Sequence, residues 1–108
     1  MLEKEIEKIL TTEVKKLGGK AYKFISPGNN GVPDRIVVFP GKPPVFVELK
    51  TDKGALSSLQ SVQIEKLRNL GQYVEVVKGV HGLIKFFTKY GYPHVGILLE
   101  GKYGRVKN

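Results

Sequence analysis

The sequence predicts a small α/β domain, a mixed β-sheet with helices packed on it. Three observations lead there. The elements run helix, strand, strand, strand, helix, strand, so the last strand is reached through a helical crossover over residues 45–77, which makes that pair parallel and right-handed. Ile36–Phe39 and Val45–Val47 are runs of β-branched and aromatic residues, separated by Pro40-Gly-Lys-Pro-Pro44, whose three prolines cannot serve a ladder. A length of 108 residues with 41% apolar content is enough for one modest core and one domain.

Residues 3–17 read as an amphipathic helix. Ile6, Leu10, Val14 and Leu17 make its buried stripe, and Gly18-Gly19 stops it. Glu3, Glu5 and Glu7 lie early, where the helix dipole favours anions, and Lys15 and Lys16 lie late, where it favours cations. Lys20 to Ile25 alternates polar and apolar, as a strand does. Ser26-Pro-Gly-Asn-Asn-Gly31 is a loop whose Asn and Gly residues suit positive φ. The paired strands follow, then a polar connection from Thr51. A second helix spans residues 58–70, with Ser57 or Ser58 as N-cap and Gly71 just past its end. Leu59, Val62 (or Gln63), Leu67 and Leu70 lie near one face of it, with Ile64 beside them. Tyr73–Val77 is a short strand. Residues 81–90 suit a third helix whose apolar side is Leu83, Phe86, Phe87 and Tyr90. The apolar run Val95–Leu99 suits an extra strand, closing the sheet or pairing with another subunit, and the basic residues from Lys102 to Asn108 suit a frayed end.

The absence of cysteine excludes disulfides, thiolate nucleophiles and Cys-based zinc sites. No apolar run approaches membrane-spanning length, and the charged N-terminal residues lack the apolar stretch of a signal peptide, so a soluble intracellular protein is expected. Eighteen Lys and Arg against ten Asp and Glu give a net charge of +8, which favours a polyanionic partner such as nucleic acid. These cations are spread along the chain rather than gathered in a tail.

The chemistry concentrates at one end of the paired strands. Residues two apart on a strand share a face, so Glu48 and Lys50 project together while Leu49 turns into the core. Antiparallel pairing returns Asp34 beside Glu48. Two close carboxylates repel, so one must protonate or find a cation. The cation can be Lys50 or Arg35 in a plain salt bridge, or a hard divalent ion. Asp34, Glu48 and the Leu49 carbonyl offer a partial octahedron suited to Mg²⁺, with Lys50 placed to orient water or offset a phosphate charge. Three neighbours strengthen the metal reading: Pro33 directly before Asp34, the Gly-rich loop before that, and Gln60 opening the next helix over the site. Tyr22, Phe24 and Tyr73 read as core rather than base-stacking residues, and His81 and His94 as structural.

Taken together, Ser26-Pro-Gly-Asn-Asn-Gly-Val-Pro-Asp-Arg35, Val47-Glu-Leu-Lys-Thr51 and Gly54-Ala-Leu-Ser-Ser-Leu-Gln60 resemble the VRR-NUC domain, a branch of the PD-(D/E)XK nuclease superfamily, in its stand-alone phage and prophage form. The resemblance covers residues 1–78 and implies a restriction-endonuclease-like core; residues 79–108 lie outside it and read as a C-terminal extension of the same domain, a helix and a strand suited to dimerisation. It implies metal-binding acids at Asp34 and Glu48, a motif lysine at Lys50, a following glutamine at Gln60 in preference to Gln63, and a first-helix glutamate at Glu7 in preference to Glu3. The implied activity is Mg²⁺- or Mn²⁺-dependent hydrolysis of DNA phosphodiesters. The implied substrate is branched DNA such as a four-way junction, cut by a homodimer in the cytoplasm, or in the host cytoplasm for a phage protein. Arg35 and Lys53, then Lys23, Lys15 and Lys16, are the candidates for holding DNA phosphates. A DNA-binding or scaffolding module with a non-catalytic site, and a small structural domain whose acids merely pair with Lys50 and Arg35, are the competing readings.

Overall fold

A computed structural model describes residues 1–104. Its elements are α1 (Glu3–Lys16), β1 (Lys20–Lys23), β2 (Arg35–Val38), β3 (Val45–Lys50), α2 (Ser58–Asn69), β4 (Tyr73–Lys78), α3 (Gly79–Lys89) and α4 (Pro93–Tyr103). The strands form one sheet in the order β1-β2-β3-β4. The first two pairings are antiparallel and the third, across the α2 crossover, is parallel. This is the small mixed sheet with flanking helices that the sequence predicts.

Strand alternation divides the sheet into two unlike faces. Val37, Val45, Val47, Leu49 and Val77 point to one face and are buried there against Ile6, Leu10 and Val14 of α1, Leu83, Phe86 and Phe87 of α3, and Val95 and Leu99 of α4. Phe39, just past β2, sits among the rings of Phe86, Phe87, Tyr90 and Tyr92. The Tyr90 hydroxyl donates to Glu75 on β4, which also pairs with Lys89, tying the end of α3 to the sheet. The opposite face carries Tyr22, Ile36, Phe46, Glu48 and Val74 across the four strands. There α2 packs on β4, through Ile64 and Val74, both buried.

Several elements differ from the sequence reading. Val95–Leu99 is part of helix α4, not a strand. Pro93 at the first helical position starts it, Val95 and Leu99 bury on one side at helical spacing, and Gly96 lets it approach α3, since a Cβ there would meet Thr88 Oγ1 at 2.7 Å. Apolar run length alone cannot separate a short strand from a buried helix face. On α2 the buried residue is Ile64, whereas Leu59, Val62 and Leu70 face solvent. Tyr22 and Tyr73 are not core residues, being 52% and 53% exposed. β1 ends at Lys23, leaving Ile25 exposed. His81 and His94 are both exposed. Lys102 and Tyr103 close the last turn of α4, and the rest of the basic end, 105–108, lies outside the described residues. Among the described residues no helix is long and apolar enough to cross a membrane.

In the loop before β2, positive φ falls on Gly28 and Gly31, and no non-glycine residue adopts it, Asn29 and Asn30 included. Gly31 is constrained twice. Its φ is +88°, and a Cβ would meet the backbone carbon of Leu59 at 2.6 Å. The loop is thereby seated on the first turn of α2. Gly28 has similar φ but open space around it. Gly31→Ala is therefore expected to cost roughly 2 kcal/mol or more and Gly28→Ala about 1 kcal/mol, compared by urea denaturation. An equal loss at both positions would mean that the α2 terminus yields to the added methyl.

Candidate metal and nucleic-acid site

Glu48 is the centre of the site. It lies on the α2-bearing face near the end of β3, yet is only 2% exposed. Asp34 approaches from across the strands. The register pairs Arg35 with Val47, so the preceding residue comes opposite Glu48. The ladder continues past β1, with the Phe24 amide donating to the Asp34 carbonyl at 2.9 Å. Asp34 Oδ2 accepts the Leu49 amide at 2.8 Å, which fixes the carboxylate against the end of β3. Lys50, two residues beyond Glu48 on the same face, brings Nζ to 3.7 Å from Glu48 Oε2.

Gln60 reaches the same carboxylate through the start of α2. Ser57 is the N-cap; its hydroxyl accepts the Gln60 amide at 3.2 Å, and Gln60 Oε1 accepts the Ser57 amide at 2.9 Å. That capping box leaves the Gln60 side-chain nitrogen to donate to Glu48 Oε2 at 3.2 Å. The structure therefore gathers Asp34, Glu48, Lys50 and Gln60. Gln63, the alternative glutamine, makes no hydrogen bond to the site.

The electrostatics follow from this burial. Loss of water pushes the Glu48 carboxyl up from its ordinary 4.5 to about 7, the neighbouring Asp34 carboxylate pushes the same way, and Lys50 only partly opposes them. Glu3 adds a smaller push in the same direction. Glu48 Oε1 is buried and has no hydrogen-bond partner among the described residues. A buried carboxyl with a second carboxylate beside it and one oxygen without a donor is an arrangement that a hard cation would complete. No cluster of three or more His, Cys, Asp and Glu side chains suited to a metal occurs among the described residues. The carboxylate donors that meet here are therefore two, Asp34 and Glu48.

Other predicted site residues are placed elsewhere. Glu7, preferred as the first-helix acid, is taken up by Arg35, whose Nε donates to Glu7 Oε2 at 3.1 Å. The physical reason is reach: the Arg35 side chain leaves the sheet toward α1, on the face opposite Glu48, and claims the glutamate one turn into that helix. Glu3, a turn earlier, is the α1 acid whose charge acts on Glu48. Arg35 Nη1 also donates to the Ala21 carbonyl at 3.1 Å, so its guanidinium is committed within the protein rather than offered to a phosphate. Lys16 pairs with Glu13 at 3.3 Å. Lys15, Lys23 and Lys53 are exposed and form no salt bridge among the described residues. Nothing in the residue pattern singles out Gly31 beyond its place in the Gly-Val-Pro-Asp spacing; its role shows only in its contact with α2.

Comparison with known proteins adds an independent observation. No family model matches the chain. A protein of Acyrthosiphon pisum secondary endosymbiont phage 1, described as "Putative nuclease p44", is 45% identical over 75 residues, covering 69% of this chain and 81% of that protein. A solved structure described as a VRR_NUC domain superposes with a TM-score of 0.71 at 25% identity, covering 83% of this chain and 97% of the other. With the same mixed sheet and a phage relative at this identity, the chain belongs to the VRR-NUC family of nuclease domains, in its phage-type form.

Proposed function

We infer that this chain is a divalent-metal-dependent endonuclease that hydrolyses DNA phosphodiesters. The observation that carries the reading is the Asp34–Glu48 pair, with a buried Glu48 oxygen that has no partner among the described residues and a carboxyl pushed up to about 7 by burial and by the Asp34 carboxylate beside it. Asp34 and Glu48 would hold Mg²⁺ or Mn²⁺ with the Leu49 carbonyl; Glu7, the expected first-helix acid, is paired with Arg35, and Glu3 is the α1 acid whose charge adds weakly to the push on Glu48. When bound, the cation would polarise the phosphodiester and stabilise the leaving oxygen. The chain's own groups do the rest. Gln60 holds the Glu48 carboxylate in position through its amide. Lys50 sets a positive charge beside the acids, where it can orient the attacking water or offset charge on the phosphate.

The net charge of +8 supports a polyanionic substrate, with Lys15, Lys23 and Lys53 free to meet phosphates and Arg35 and Lys16 already engaged. The reading extends to branched DNA cut by a homodimer. One domain of this size has a narrow footprint, and two-fold symmetry would present two sites to two strands of a four-way junction.

A cleavage panel of four-way junction, flap, single strand and duplex with Mg²⁺ or Mn²⁺ tests this reading. Cutting should stop with EDTA and fall about 100-fold or more in Lys50→Ala, Asp34→Ala and Glu48→Gln, each still folded. Cutting that survives all three would remove the site, and metal-independent binding without cutting would leave only a binding module. Sedimentation of the protein with and without junction reads the dimer.

The two α1 acids should separate cleanly. Glu3→Gln is expected to lower metal-dependent cutting about tenfold. Glu7→Gln is expected to leave cutting intact and cost up to about 1 kcal/mol through the partly buried Arg35 pair. The reverse pattern would restore Glu7 as the ligand.

The Glu48 carboxyl also sets a pH dependence. Its folded pKa lies above its unfolded value, so the folded protein binds more protons between the two. Stability is then fully present below about 4.5 and is lost as pH rises through about 7, by up to about 3 kcal/mol. Urea titrations in EDTA from pH 4.5 to 8 should show this fall, and Glu48→Gln should flatten it. Mg²⁺ at pH 8 should restore stability, because the metal needs the deprotonated acid. An identical slope in the variant would place the titration elsewhere.

A further inference from the structure

On the face of the sheet that carries Asp34 and Glu48, α2 packs mainly on β4 and reaches the end of β3 through Gln60 at Glu48, while Tyr22 on β1 stays open to solvent. The uncovered surface is aromatic. Tyr22 lies across from Ile36 and Ile36 across from Phe46, so the three form one row. Tyr22 is 52% exposed, and Phe24, Ile36 and Phe46 are half-buried. Phe24 and Phe46 rest ring against ring, 5.6 Å between centroids and tilted by 58°. This pair adjoins the acids. The Phe24 amide binds the Asp34 carbonyl, and Phe46 precedes Glu48 by two residues on the same face.

The surface is also basic. Lys20 Nζ stands 5.4 Å from the centre of the Tyr22 ring and pairs with no carboxylate among the described residues. Beyond it, a shallow depression of about 660 Å³ runs from Lys20, Tyr22 and Val38 to Pro40 and Pro43; Lys42 borders it too, but its ammonium is committed to the Tyr90 carbonyl, so Lys20 is the cation this edge offers. Asp34 and Glu48 are the sole acids on the β1–β3 part of this face. An apolar protein partner would gain nothing from a cationic margin. Intact duplex keeps its bases stacked inside, so it offers phosphates to the lysine but no ring faces to the aromatics. A strand with unpaired bases matches both features. From Asp34 to Val38 the face runs four residues, roughly 13 Å, which is room for a few nucleotides.

We propose that Tyr22, Phe24 and Phe46, with Lys20, form a stacking platform for unpaired bases of the strand that enters the Asp34–Glu48 site. This rests on the nuclease reading and narrows its substrate to DNA with single-stranded character beside the scissile bond. Tyr22 is the positioning residue most open to a base, because its ring is the most exposed of the row.

The test is binding of the full chain in EDTA, read by fluorescence anisotropy on three labelled DNAs: a blunt duplex, the same duplex with an unpaired tail, and that duplex with an abasic tail. Wild type should bind the base-bearing tail more tightly than the abasic one. Tyr22→Ala and Tyr22→Leu should each weaken the base-bearing tail about tenfold and change the other two less than twofold, while Tyr22→Phe should bind as wild type. The leucine variant keeps apolar bulk at the position, so a loss in both variants reads the ring and not the fold. Equal losses on all three DNAs, or no loss on any, would overturn the proposal. So would a shift in self-association of Tyr22→Ala in sedimentation without DNA, since a second copy would then occupy the face. Because binding is read without metal, it is independent of cutting. Metal-dependent cleavage with no effect at Tyr22 removes the platform alone, and a Tyr22 signature without any cleavage removes the nuclease alone.

Discussion

A carboxylate shut away from water at the end of a strand is the constraint around which this molecule is arranged. Burial raises the energy of the charged Glu48, a second carboxylate raises it further, and the lysine beside it compensates only in part. The surroundings hold this unfavourable group in place with backbone as much as with side chains. Asp34 is fixed by the Leu49 amide, Gln60 by the Ser57 cap, and the loop bearing Asp34 by the seat of Gly31 on α2. A site organised in this way is rigid before any ligand arrives, and what it lacks is positive charge.

The architecture explains how such a group can be tolerated. Nearly all the apolar burial lies on the other face of the sheet, where α1, α3 and α4 meet Val37, Val47, Leu49 and Phe39. That face supplies the stability, and the Glu48 face draws on it. α4 matters in this division. By packing on α3 it enlarges the core, whereas as a fifth strand it would have widened the sheet and left α3 partly bare.

Much of this was legible from residue types alone. β-branched runs and a proline-rich link identify β2 and β3, the two-residue period puts Glu48 and Lys50 on one face, and antiparallel return brings Asp34 opposite. Local rules therefore carry the core of the site. They fail where a distant partner decides. Glu3 and Glu7 sit one turn apart and have the same chemistry. Only Arg35, reaching across from the sheet, distinguishes them. Leu59, Val62 and Leu70 look like a buried stripe until the sheet presents itself to Ile64 instead. Tyr22 carries strand propensity, but propensity does not say whether a helix will cover the strand. α4 is not legible because a five-residue apolar run holds too little of either period.

Gln60 links two events that are separable in most proteins. Its backbone amide and side-chain oxygen close the first turn of α2, and its side-chain nitrogen holds Glu48. Fraying of that turn therefore does more than loosen a helix end. It withdraws the Gln60 donor from the buried acid, opens the acid to water and returns its proton affinity toward that of an ordinary glutamate. The helix terminus behaves as a latch on the acid's chemical character, so the lifetime of one hydrogen-bonded turn bounds the lifetime of the assembled site.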